Sequence, residues 1–140
     1  KSFLRGMNPI FMDPYDGIVL GPKDDNRWGP IRRAMGVTLR LARQIELAAM
    51  TPQNQLASSG YCLAAAPGKL RKPSTACLVV FLPGGGEVEV DLSALSGSLT
   101  AVWVDPLTGA QRDGGAVGGG AKRKLTSPTK GDSVLWLRSA

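Results

Sequence analysis

Residues able to do chemistry are few in this chain of 140, and their arrangement narrows the options early. Glu87, Glu89 and Asp91 alternate with Val88, Val90 and Leu92. Strict alternation puts the carboxylates on one face of a half-buried strand and the aliphatic side chains on the other. Paired carboxylates can serve as general acid and base when their surroundings move their pKa values apart. A ladder facing water does not do that, so these three read as a solvated face. There are two cysteines and no histidine, which removes the usual zinc sites, Ser-His-Asp triads and Cys-His dyads. No cofactor or metal is expected. Cys62 and Cys77 fall on successive strands that could pair about the Pro67–Pro73 loop, as buried free thiols or as a disulfide. Trp103, Trp136 and Tyr61 would make a carbohydrate-stacking platform if they shared an exposed face. Because each tryptophan lies in an apolar alternating run, core anchoring is the competing reading.

The elements that must hold these residues centre on Ala76 to Gly109. Leu78–Leu82 is a continuous apolar run closed by Pro83 and three glycines. Glu87–Leu92 is the alternating strand, and Leu99–Val104 is a third run ended by Asp105-Pro106-Leu107-Thr108-Gly109. Proline sets the φ a turn needs at its first corner, and glycine supplies positive φ near its end. Short Gly/Pro loops between three strands predict an antiparallel meander.

Before that centre the pattern differs. Ile10–Met12, between Pro9 and Pro14, reads as a strand buried on both faces, with Asp13 and Tyr15 emerging just past its C-terminal end. Gly17–Arg27 is a polar loop. Trp28–Met50 is the one convincing helix: Pro30 suits its first turn, and Asp24, Asp25 or Asn26 lies upstream to cap it. Ile31, Ala34, Met35, Thr38, Leu41, Ala42, Ile45, Ala48 and Ala49 share one broad face, with Arg32, Arg33, Arg40, Arg43, Gln44 and Glu46 opposite. Thr51-Pro52 stops the helix.

Gln53–Gly60 reads as a linker. Tyr61–Ala65 and Thr75–Leu82 are expected as paired strands, followed by the central three, then Lys122–Thr126 and Ser133–Arg138. In the last of these Val134 and Trp136 face opposite to Leu135 and Leu137. Gly114–Gly120 is too glycine-rich for a regular strand interior and is expected to bulge or loop. About seven short strands after residue 52 are the signature of an antiparallel sandwich. The predicted fold class is therefore mainly β, an antiparallel β-sandwich preceded by a strand and a helix. Residues 1–52 form one region and residues 53–140 the other. A lone strand and helix cannot make a core, so the first region reads as the last βα unit of a larger domain docked beside the sandwich.

A net charge of +6 raises nucleic acid as a partner. The basic residues are scattered, however, and aromatics make up only 6% without alternating with them, so a nucleic-acid site is not expected. No apolar run reaches the roughly 20 residues that span a bilayer. The chain opens on Lys1-Ser2-Phe3-Leu4 with neither initiator methionine nor signal peptide, and reads as a piece of something longer.

Ser2-Phe3-Leu4-Arg5-Gly6 leading into Asn8–Tyr15 resembles the closing barrel segment of the apiosidase-like glycoside hydrolases. Arg33-Ala34-Met35-Gly36 and Met50-Thr51-Pro52 resemble their final barrel helix. Ser59–Ala64, Pro83-Gly84-Gly85-Gly86, Val90-Asp91-Leu92 and Trp103–Gly109 resemble the β-domain that comes after it, known as the collagen-binding domain of a collagenase. The resemblance covers nearly the whole chain and implies the end of a (β/α)8 barrel followed by that β-domain. The family's catalytic carboxylates sit on earlier barrel strands, so no catalytic residue is carried over. Active sites of such barrels lie at the C-terminal ends of strands. There Asp13 could bind sugar hydroxyls and Tyr15 could stack on a ring, or the two could cap a loop and pack. Glycoside hydrolysis needs two carboxylates about 5–9 Å apart across the scissile bond, which the ladder at Glu87, Glu89 and Asp91 is not placed to supply.

The resemblance therefore implies a non-catalytic C-terminal accessory domain of a secreted glycoside hydrolase, located outside the cell or in the periplasm, whose partner is the rest of the parent barrel domain. The alternatives are a module binding polysaccharide or collagen, and an assembly protein that forms an oligomer through the apolar helix face. That face must be hidden against the sandwich, a neighbour or the missing barrel.

Overall fold

The computed structural model describes residues 2–7, 29–65 and 76–139. Helix α1 spans Gly29–Ala42. Eight strands succeed it: β1 Met50–Pro52, β2 Cys62–Ala65, β3 Ala76–Leu82, β4 Glu87–Asp91, β5 Ser98–Val104, β6 Gln111–Gly118, β7 Lys122–Thr126 and β8 Ser133–Ser139. They form a six-stranded sheet of order β1-β2-β3-β8-β5-β6 and a two-stranded sheet of β4 and β7, with every pairing antiparallel. The chain is mainly β, as its pattern implies. The expected strand over Ile10–Met12 and the Pro67–Pro73 loop lie outside the described residues.

The large sheet is the middle layer. Alternate side chains along each strand point to opposite faces, and both faces are buried. On one, Leu78, Val80, Trp103, Leu135 and Leu137 pack against Val88 and Val90 of the small sheet and Leu92 just after it. On the other, Val79, Phe81, Val102, Val104, Val134 and Trp136 pack under Leu4, Ile45 and Met50. Val134 and Trp136 thus oppose Leu135 and Leu137 as their alternation requires.

The meander does not form. β3 pairs with β2 and β8, β5 with β8 and β6, and β4 crosses to the other sheet beside β7. Burying the face of Val88, Val90 and Leu92 over the large sheet removes more apolar surface from water than lying flat within it. The crossing is made at Pro83–Gly86. A Cβ on Gly85, whose φ is +70°, would meet the Thr129 and Gly131 carbonyl oxygens at 2.5 and 2.7 Å. The Gly84 N–H donates to Asp132 Oδ1 at 2.8 Å, so the β3–β4 turn is clasped to the β7–β8 loop.

Three further stretches differ from expectation. The helix ends at Ala42 rather than Met50: the Gln44 N–H turns back to Leu41 O at 2.9 Å, and Leu47–Ala49 is a 3-10 turn. Ending there lets Ile45 and Met50 bury on the sheet and lets β1 pair with β2, contacts a straight helix would forfeit. The supposed linker is preceded by β1, with Pro52 on an edge strand where proline is tolerated, and itself holds Ala57, which bridges Val90. Gln111–Gly118 is a strand despite its glycines, with the expected bulge where Ala101 pairs with Gly115 and Val102 with Asp113. Glycine suits residue 114, because a Cβ there would lie 3.0 Å from Ala101 and the Trp103 ring, which would have to shift.

Candidate functional site

Of the chemical groups singled out from the sequence, Asp13 and Tyr15 lie outside the described residues. Glu87 and Glu89 line the outer side of the two-stranded sheet, where Lys124 pairs with Glu87 at 3.3 Å and Lys122 with Glu89 at 3.6 Å, and Asp91, at the end of β4, borders a hollow at the sheet's edge. Hydrogen bonds from the Ser93 side chain and backbone hold Asp91 below the usual aspartate range, the wrong direction for a proton donor at neutral pH.

Trp103 and Trp136 are 6% and 7% exposed and lie on opposite faces of the large sheet. They anchor the two cores and cannot share a stacking face. Tyr61 is half-buried, edge-on to Phe81 at 5.8 Å and under the Arg5 guanidinium at 4.7 Å. Those contacts pin the N-terminal 3-10 turn to the sheet.

Cys62 and Cys77 are both buried free thiols. Burial, with a contribution from Cys77, pushes Cys62 up to about 12. Burial also raises Cys77, whose thiol donates to Leu137 O at 3.3 Å. Neither is poised as a nucleophile. Among the described residues no three His, Cys, Asp or Glu side chains gather to hold a metal ion, and no helix is long and apolar enough to cross a membrane.

What the structure does bring together is apolar surface. The apolar side of α1 is wider than one sheet can cover. Val37, Thr38, Leu41 and Ile45 turn to the sheet and enclose, with Phe81 and Trp136, a cavity of about 90 Å³. Ile31 and Leu39 remain 39% and 53% exposed. Met35, Leu39 and Ala42 line a hollow of about 440 Å³ beside Phe3 and Leu47. Phe3 and Leu47 also wall a second hollow of about 400 Å³ that runs past Met7 and Met50 to Pro52 and Leu63 at the sheet edge. The result is one apolar trough with Phe3 at its middle. Of five exposed large hydrophobic residues among those described, Met7, Ile31, Leu39 and Leu47 belong to the N-terminal segment, and only Leu107 lies elsewhere.

Sequence reasoning expected an apolar helix face but missed Phe3, Met7, Leu39 and Leu47 as members of the exposed surface. The 3-10 turns that carry Phe3 and Leu47 have no periodicity to reveal them.

No family model and no curated protein matches the chain. Solved structures do. One, described as a glycoside hydrolase, matches 99% of this chain with a TM-score of 0.66 and 19% identity. A glycoside hydrolase of family 5 from Bacteroides vulgatus matches 79% of this chain with a TM-score of 0.61 and 17% identity. The chain spans about a third of the first protein, 32%, and a quarter of the second, 25%. At these identities the likeness is one of fold.

Proposed function

We propose that this chain is the C-terminal part of a glycoside hydrolase, in which residues 1–52 close the catalytic barrel and residues 53–140 form an accessory β-sandwich that braces it. The observation that carries the reading is the apolar trough around Phe3, with Leu39 at 53% and Met7 at 58% exposure on its walls. A contiguous apolar surface of this kind marks an interaction site. The structures of similar fold belong to glycoside hydrolases about three times as long, as the shares of each chain that match imply. The preceding barrel of the same polypeptide is thus the partner that fits the trough.

The finer assignment is to the apiosidase-like enzymes, with the sandwich of the collagen-binding type. On this reading Asp13 and Tyr15 stand at the end of the barrel's last strand and line the sugar pocket. The hydrolytic carboxylates belong to other strands, and the chain alone cleaves no glycoside. The parent enzyme works outside the cell or in the periplasm.

The test is made in the full-length parent enzyme. Leu39→Asp or Leu47→Asp should lower its Tm and its activity together, whereas Leu107→Asp, exposed away from the trough, should change neither. An unchanged Tm for both trough variants, or cleavage of aryl glycosides by the 140-residue chain alone, would overturn the proposal.

A further inference from the structure

The two-stranded sheet is too narrow to roof the six-stranded one, and the mismatch leaves a pocket on the side away from α1. Across β1, β2 and β3 the register aligns Thr51, Ala64 and Leu78 in one row. Ala64, between two larger neighbours, makes the pit of the row. Opposite stand Asp91 at the end of β4 and Ser93 and Leu95 in the loop after it, enclosing about 380 Å³. That volume lies within the range of small-molecule sites, which combine an apolar floor with a few placed polar groups.

The polar groups here are held in place before any ligand arrives. Gln53 Nε2 donates to Thr51 Oγ1 at 3.2 Å, and Gln55 Nε2 donates to Gln53 Oε1 at 2.5 Å, so the Gln53 amide is fixed at the rim. The Ser93 N–H donates to Asp91 Oδ1 at 2.9 Å, fixing that carboxylate at another part of the rim. Hydroxyl, amide and carboxylate thus border a pocket whose floor holds Ala64 and Leu78. Among the described residues that line the pocket no cation occurs, and Asp91 is the one charge. Lys122, opposite Asp91 in the β4–β7 register, offsets that charge, so the rim is polar with little net charge, which suits a neutral polar ligand better than a charged or a purely apolar one.

We propose that this pocket binds a neutral saccharide unit. The C–H face of the ring would lie on Ala64 and Leu78, with hydroxyls donating to Asp91 and exchanging hydrogen bonds with Gln53 and Ser93. The choice of a sugar rests on the proposed glycoside hydrolase origin; the pocket's place does not. It lies across the large sheet from the trough, so it stays open when the trough is covered.

Amide chemical shifts of the chain titrated with cellobiose and with xylobiose test the proposal, with digalacturonate as the anionic comparison. Either neutral disaccharide should move the amides of Thr51, Gln53, Ala64 and Ser93 with a millimolar or tighter Kd. Ala64→Leu, which fills the pit, and Gln53→Ala, at the rim, should each weaken binding about tenfold or more. Gln53→Ala guards against a folding defect in the first variant. The proposal is overturned if neither disaccharide shifts these amides at about 20 mM, if both variants bind as the parent chain does, or if digalacturonate binds as tightly. Such a result would leave the Leu39 and Leu47 test of barrel docking untouched, and failure of docking would leave the titration standing.

Discussion

The ring of Trp103 occupies the space that a side chain on residue 114 would need: a Cβ there would stand 3.0 Å from ring atoms Cδ1 and Nε1. An alanine at position 114 would therefore push against the buried indole. Gly114→Ala should reduce unfolding free energy by about 1–2 kcal/mol, since overpacking outweighs the smaller entropic gain of alanine. Urea unfolding checks this. The neighbouring Gly118→Ala, facing only the movable Arg123 side chain at 3.3 Å, should cost less.

A second pair of residues is close in sequence pattern and apart in space. Cys62 pairs with Val80, so Cys77 lies three positions further along β3. At the rise of a strand that is about 10 Å, beyond the roughly 7 Å between Cα atoms that a disulfide allows. Both thiols should stay free after mild oxidation and react with a thiol reagent only as the chain unfolds. With the folded-state value of Cys62 raised from 9.0 to about 12, the linkage has one sign. Its contribution to stability is complete below pH 9 and falls away between about 9 and 12, where the unfolded chain loses its proton first. Cys62→Ala should flatten that alkaline decline in Tm.

At the other end of the pH scale the Asp105 turn is informative. Its carboxylate accepts the Leu107 N–H at 2.7 Å and the Thr108 N–H at 3.1 Å, and these bonds, that from Thr108 foremost, hold it below the ordinary 3.8. A depressed value means stability present at neutral pH and lost as pH falls through the folded-state pKa. Because the group is exposed, solvent screens the effect and the change should be small. Asp105→Asn should show a lower Tm at pH 7 and a shallower acid decline.

The cavity beneath α1 can be filled. Thr38 borders it and spends its hydroxyl on Ala34 O at 2.9 Å within the helix. Thr38→Ile should stabilise the chain by about 1 kcal/mol, since each lost cubic ångström of void contributes on the order of 24 cal/mol. In contrast Trp136→Ala, on the cavity's opposite wall, should cost about 3–5 kcal/mol. Calorimetry of both variants measures the difference.

The exposed half of the helix makes the complementary prediction. Leu39→Lys in the 140-residue chain should alter its own stability by no more than about 0.5 kcal/mol. It should reduce binding of a hydrophobic dye, since more than half of the leucine's surface stays open to water.

Local pattern made most strands legible. Alternation at Glu87–Leu92 and at Val134–Leu137 gave the correct inward faces, because that signal is carried by the strand itself. Sheet membership was not legible. Whether β4 lies beside β3 or across from it depends on partners some 35 residues away, such as Lys124 opposite Glu89, and no short-range feature encodes that. The helix end was misplaced for a related reason: Ile45 and Met50 keep helical spacing with Leu41, yet their burial is decided by the sheet below. Of the candidate surface, the helical face was visible in the wheel. Phe3 and Leu47 were not, since each stands alone in a 3-10 turn.

β8 is the last of the eight strands in chain order, yet it sits between β3 and β5 near the middle of the six-stranded sheet. A nascent chain still lacking it has two half-sheets, β1-β2-β3 and β5-β6, with no strand hydrogen-bonded between them. Completion of the six-stranded sheet must therefore wait until β8 has been synthesised. During that interval the ribosome-bound chain exposes the edges of β3 and β5 to chaperones and to its neighbours on the polysome.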